Sequence, residues 1–275
     1  MTPSADLPLG PLNPGNVVSA GLKLYRDRFK TFLRLSIQAY LWLFVPVYGW
    51  AKYFMLTGLM ARLAFQQLIQ QPESVVDGKR HVRPKLWSFF GLGVLMLLIF
   101  VAVYFALGLV AAGFGLVGGL ILVGVTSPFL GSDIGAGLGI FLGILIFIGV
   151  FLFGLIWVIA RLLIAEVPLA IESDVTASKS ISRSWQLTQL SFFRIQFVVL
   201  AAFLITLPVL LLSNTVPQLA LSTVAYESTA YWVIYISGLV LSVAGSILVL
   251  PFWQTVKGVL YYDLRSRREG IDLQA

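Results

Sequence analysis

The chain has 275 residues, of which 59% are apolar and only 11% charged, with a formal net charge of +7 and no cysteine. Roughly a quarter of a soluble domain's residues are charged, so this composition excludes a water-covered globule as well as a disordered chain. The absence of cysteine excludes a disulfide scaffold and a thiolate-bound zinc.

Residues 1–15 contain Pro3, Pro8, Pro11 and Pro14 and no basic residue. They lack the charged-then-apolar layout of a secretory leader and read as a flexible tail. A helix is predicted over 16–30. On a helical wheel Lys23, Arg26, Asp27, Lys30 and Arg34 share one narrow face, and Val17, Leu24, Tyr25, Phe29 and Phe32 take the opposite side. That is the pattern of a helix lying in a membrane interface with its cations towards anionic headgroups. Arg28 falls on the apolar side and must snorkel.

Beyond it, residues 31–71 read as a short hairpin, re-entrant or spanning, broken at Pro46-Val47-Tyr48-Gly49. Four charge-free runs follow, at 86–132, 134–160, 195–226 and 228–255. Each exceeds the ~20 apolar residues that cross a bilayer as a helix. They group into hairpins at 87–160 and 195–256. The turn of the first falls at Val125 to Asp133, where proline, glycine and an acid coincide, and the loop of the second near Asn214 to Glu227. Residues 261–275 read as a cytoplasmic tail in which Asp263 with Arg267 and Arg265 with Glu269, at i, i+4 on an exposed helix, argue for a final helix running out of the bilayer.

Orientation comes from the basic residues. Eighteen of the 19 fall in four clusters, at 1–34, 62–85, 161–194 and 257–275, leaving Lys52 alone. Such bunching is the positive-inside signature. The expected fold is therefore an all-α integral membrane protein of about six transmembrane helices in three hairpins. Residues 16–260 form its single membrane domain, with interfacial helices and both termini on the cytoplasmic side, the setting being a cell inner membrane.

A second interfacial helix is expected after Glu172, capped by Ser173 or Asp174 and carrying Ile181 and Trp185 on one face. It leads into Ser191-Phe192-Phe193, which echoes Ser88-Phe89-Phe90, and Arg194 precedes Pro208-Val209 much as Arg34 precedes Pro46-Val47. Two readings stand: parallel internal repeats, or coincidence in an apolar chain.

Three stretches carry a resemblance: Pro168-Leu-Ala-Ile-Glu172, Ser180-Ile-Ser-Arg-Ser-Trp-Gln-Leu-Thr188, and Tyr261-Tyr-Asp-Leu-Arg-Ser-Arg-Arg-Glu-Gly-Ile-Asp-Leu273. Together they resemble the membrane domain named for glycerophosphoryl diester phosphodiesterases, which also occurs in stand-alone bacterial membrane proteins. The resemblance implies about six helices with interfacial helices. It does not carry the phosphodiesterase activity, which resides in a soluble barrel with clustered acids and histidines.

Catalytic constellations are scarce. The sole histidine, His81, lies in the basic loop 79–83, and no acid falls inside an expected span. Gly113-Phe-Gly-Leu-Val-Gly118 matches a dinucleotide pattern in letters but lies in an apolar run with no acid about twenty residues on. Gly115 with Gly119, Gly135 with Gly139, and Gly139 with Gly143 read instead as helix-packing surfaces, within the chain or between copies. No enzyme activity and no cofactor is expected. Basic clusters that hug helix ends speak against nucleic acid as a partner.

Two groups remain as candidate sites. Lys23, Arg26, Lys30 and Arg34 would bind anionic lipid headgroups, and Arg161, Glu166, Glu172, Arg183 and Arg194 would form one cytoplasmic-edge cluster, structural or phosphate-clamping. The expected role is a non-catalytic scaffold binding lipid, other membrane proteins or itself. The alternative is a transporter or channel using Gln38, the strongly polar residue of the first span.

Overall fold

A computed structural model describes residues 12–270. No strand occurs among them. The helices are α1 (Pro14–Asp27), α2 (Phe29–Trp42), α3 (Tyr48–Leu68), α4 (Val75–Val82), α5 (Leu86–Leu130), α6 (Ser132–Leu162), α7 (Glu166–Ile171), α8 (Ala177–Thr188), α9 (Phe192–Leu210), α10 (Val216–Leu221) and α11 (Thr229–Glu269). Four helical segments are long and apolar enough to cross a membrane: 75–130, 132–171, 192–221 and 229–269. The chain divides into two compact units, residues 1–92 with 163–275, and residues 93–162.

In the first unit α3 is central. Every residue from Met55 to Phe65 is buried, so the helix is covered all round, as an axial core helix must be. Small residues set how closely its neighbours approach. A Cβ at Gly258 of α11 would stand 2.6 Å from the Ala61 carbonyl oxygen, and one at Gly21 of α1 would stand 2.8 Å from a Val256 methyl. At Gly58 the gap is filled by Phe89 at the start of α5, which is 1% exposed.

This packing alters the expected interfacial helix. Its apolar residues Val17 and Leu24 are 0% and 2% exposed, covered by α11 and α9 instead of by lipid. The helix also stops at Asp27. Arg28 adopts φ −119° and ψ 32°, and its guanidinium donates to the Glu73 carbonyl at 3.2 Å, so it is held by protein and does not snorkel.

The first expected hairpin is α2 and α3 with a turn at 43–47. With 14 residues, α2 is about 21 Å long at 1.5 Å per residue, short of the ~30 Å hydrocarbon core. Pro46 lies in this turn, whereas Pro208 lies inside α9, so the Pro-Val echo does not mark equivalent positions. Residues 211–215 form a π turn running straight into α10. Asn214 donates to the Leu210 carbonyl at 3.1 Å and accepts from Ser242 of α11 at 2.7 Å. The chain thus stays helical to Leu221, and the loop expected from Asn214 shrinks to 222–228.

The boundary expected at residue 260 falls inside α11. Tyr261, Tyr262, Asp263 and Leu264 are all buried, and the helix ends only at Gly270, whose φ of 62° suits a residue without Cβ. The α8 cap is likewise shifted, from Ser173 or Asp174 to Thr176, which accepts from the Lys179 amide.

The second unit is the α5–α6 hairpin. Its turn is tighter than the expected 125–133, because α5 continues through Pro128 to Leu130 and Gly131 alone, at φ 83°, reverses the chain. The spaced glycines meet across the pair: a Cβ at Gly143 would stand 2.7 Å from the Gly115 carbonyl oxygen. Their partner is thus the neighbouring helix of the same hairpin. Tyr104 and Phe151 meet edge to face at 5.3 Å, and Thr126 donates to the Gly135 carbonyl at 2.8 Å. Outward side chains such as Phe129 and Leu109 are 84% and 77% exposed.

Candidate functional site

The last turns of α11 gather the polar chemistry of the first unit. Lys257, Tyr261 and Arg265 recur every four residues and so lie along one face of the helix. Lys257 donates to Glu166 of α7 at 2.7 Å, and Glu166 also accepts from Thr57 of α3 at 3.2 Å. The Tyr261 hydroxyl donates to Glu172 at 2.6 Å. Arg265 donates to Glu269 at 2.7 Å. Arg183 of α8 bridges Glu172, at 3.2 Å, and Glu269. Partial burial depresses the Arg183 pKa, but the two carboxylates outweigh it and raise the guanidinium above its ordinary value.

Asp263 faces elsewhere. It is 0% exposed and receives Arg194 of α9 through two bonds at 2.8 and 3.0 Å. The Leu12 amide reaches it at 2.7 Å and Arg267 at 3.2 Å. Fork-to-fork pairing satisfies both planar groups, which is what allows a carboxylate to be fully buried.

The expected five-residue cluster is therefore several separate contacts. Glu166 pairs with Lys257, Glu172 with Arg183 and Tyr261, and Arg194 with Asp263. Glu166 and Arg194 are not brought to a common point with Glu172 and Arg183, so no single phosphate clamp results. Arg161 belongs to the second unit, where its guanidinium lies 5.1 Å from the Trp157 ring centre.

Two residues of this polar core were not anticipated as such. Arg62, 7% exposed, holds Glu73 at 2.8 and 3.2 Å and the Ala170 and Ile171 carbonyls at 3.0 and 3.3 Å. It thereby occupies the unsatisfied carbonyl end of α7. Lys85 does the same from the other side, donating to the Leu169 and Glu172 carbonyls. A lone arginine inside an apolar run, with an acid just past the next turn, was the available signal.

The basic face of α1 and α2 contrasts with all of this. Arg26, Lys30 and Arg34 are exposed and Lys23 is half-buried. Among the described residues none of the four meets a carboxylate. Lys23 and Arg26 border an open pocket with Leu22, Tyr25 and Phe29. The Tyr25 hydroxyl donates to the Leu248 carbonyl at 3.0 Å, which ties α1 to α11.

Gln38 accepts from Lys79 of α4 at 3.3 Å. Among the described residues no group of three or more His, Asp or Glu side chains converges as a metal site would require. No family model, characterised protein or solved structure matches the chain.

Proposed function

We propose that the protein is a non-catalytic membrane scaffold that collects anionic lipid headgroups against Lys23, Arg26, Lys30 and Arg34. In this reading it sits in a bacterial inner membrane with both termini cytoplasmic. Three hairpins enter the bilayer from that side, the α2–α3 hairpin only in part. The architecture is that of the phosphodiesterase membrane domain it resembles.

The observation that carries the reading is the division of labour among cations. Arg62, Arg183, Arg194 and Lys257 are each matched to a carboxylate of the fold, while the four on α1 and α2 meet no carboxylate among the described residues. An unmatched cation near a membrane surface gains ~1 kcal/mol from anionic lipid. The bunching of basic residues at helix ends supports the orientation.

The test is native mass spectrometry of detergent-extracted protein given phosphatidylglycerol. Each substitution of Lys23, Arg26, Lys30 or Arg34 by Gln should lower retention about fivefold, the equivalent of ~1 kcal/mol. Retention unchanged with all four replaced would sink the proposal. So would solute flux through reconstituted vesicles that vanishes in Gln38→Leu, which is the transporter outcome.

A further inference from the structure

A second polar feature of the first unit is an open pocket of about 440 Å³, a size within the ~300–1,000 Å³ of small-ligand pockets. Its walls come from α2, α3, α7, α9 and α11. Phe54 and Trp253 supply apolar surface, and Thr57, Glu166, Gln254 and Lys257 supply the polar end. Glu166 and Lys257 keep 18% and 20% of their side-chain surface exposed, so the ion pair is accessible. Gln254 is 4% exposed, and its carboxamide oxygen accepts no hydrogen bond. A buried acceptor without a donor is an uncompensated loss. The terminal amide torsion is soft, so the group can turn to meet a donor brought into the cavity.

The chemistry of the occupant follows from these groups. Glu166 and Lys257 already neutralise one another, so a headgroup of either net charge would break the balance. A zwitterion fits, its cation towards Glu166 and its phosphate towards Lys257. The carboxamide oxygen of Gln254 additionally asks for an N–H donor, and the aromatic walls ask for an apolar body.

We propose that this cavity binds one zwitterionic membrane lipid bearing a primary ammonium headgroup, with the Glu166–Lys257 pair and Gln254 as its recognition groups. The site is separate from the basic face of α1 and α2 and stands or falls without it.

Purified, delipidated protein is given phosphatidylethanolamine, phosphatidylcholine or phosphatidylglycerol of identical acyl chains, and bound lipid is counted by native mass spectrometry. The ethanolamine lipid should be retained about tenfold over the choline lipid, which carries the same charges but no N–H. Gln254→Leu should abolish that preference while unfolding at the same or a higher temperature, because it removes the unmatched acceptor. Replacing Lys23, Arg26, Lys30 and Arg34 by Gln should leave the preference intact whatever it does to phosphatidylglycerol. Equal retention of ethanolamine and choline lipids by the native sequence, or a preference that survives Gln254→Leu, overturns the proposal. If the leucine variant does not fold, one equivalent of acyl-brominated phosphatidylethanolamine serves instead. It should quench tryptophan emission in the native sequence and clearly less in Trp253→Phe, and equal quenching in both overturns the site.

Discussion

The two compact units solve one problem with different mixtures of the same forces. Residues 93–162 contain only two charged side chains, Asp133 and Arg161, and their two helices meet through glycines, an aromatic pair and a threonine. The first unit buries an aspartate and an arginine, ties α7, α8 and α9 to the end of α11 with ion pairs, and pairs Arg62 of α3 with Glu73. In lipid the hydrophobic effect gives two helices little reason to associate, which leaves dispersion from close backbone approach and polar contact as the forces available. The hairpin uses mainly the first. The larger unit uses both, and its polar contacts also fix which element sits on which.

This contrast is open to attack, most forcefully at Asp263. Asp263→Ala should destabilise by roughly 3–5 kcal/mol, because it strands Arg194 in a mostly buried position, as read by denaturant or SDS titration. Joint replacement Asp263→Leu with Arg194→Met should recover most of that loss, since apolar pairs of similar volume commonly replace buried ion pairs at little cost. If the double variant is as damaged as the single, burial of charge is not what the position is about.

In the hairpin, Gly143→Ile should cost about 1–3 kcal/mol through overpacking, because its Cβ meets backbone that has no rotamer to shift. Gly258→Val should do the same in the larger unit, where the obstacle is again a carbonyl. A harmless Gly143→Ile would mean that the two helices are not held by close approach.

Smaller effects sharpen the picture. Neutralising Lys23, Arg26, Lys30 and Arg34 together should leave the unfolding midpoint almost unchanged while anionic-lipid retention falls and becomes insensitive to salt. In the native sequence that retention should weaken between 0.1 and 1 M salt, as the screening length drops from ~10 to ~3 Å. Arg80→Ala, which removes a pair with Asp77 whose side chains are 80% and 59% exposed, should change stability by less than about 0.5 kcal/mol.

How much of this was readable from the residues depends on range. α5, α6, α9 and α11 announce themselves because a charge-free run longer than a bilayer has few alternatives. The glycines of the hairpin are visible because they recur at i, i+4. By contrast Gly21, Gly58 and Gly258 are isolated, and nothing in a single chain marks the helix that will press on them. α3 is legible as one arm of a short hairpin, but Lys52 and Arg62 interrupt its hydropathy and hide that it is also the buried axis of the larger unit. The pairs Asp263–Arg267 and Arg265–Glu269 were legible as neighbours on a helix, but the burial of Asp263 was not. It depends on Arg194, which lies 69 positions away, and on Leu12, 251 positions away. Local periodicity reports which face is apolar; it does not report whether lipid or protein will cover that face, as α1 illustrates.

The bond from the Leu12 amide to Asp263 also sets an order of events at the ribosome. At ~5–20 residues per second, roughly 13–50 seconds of translation separate the two ends. For all that time α1 waits without α11, the helix that covers most of its apolar side. A nascent chain of this protein therefore cannot lock its first helix until its last has been made, and during synthesis the bilayer surface or a chaperone must shelter Val17 and Leu24.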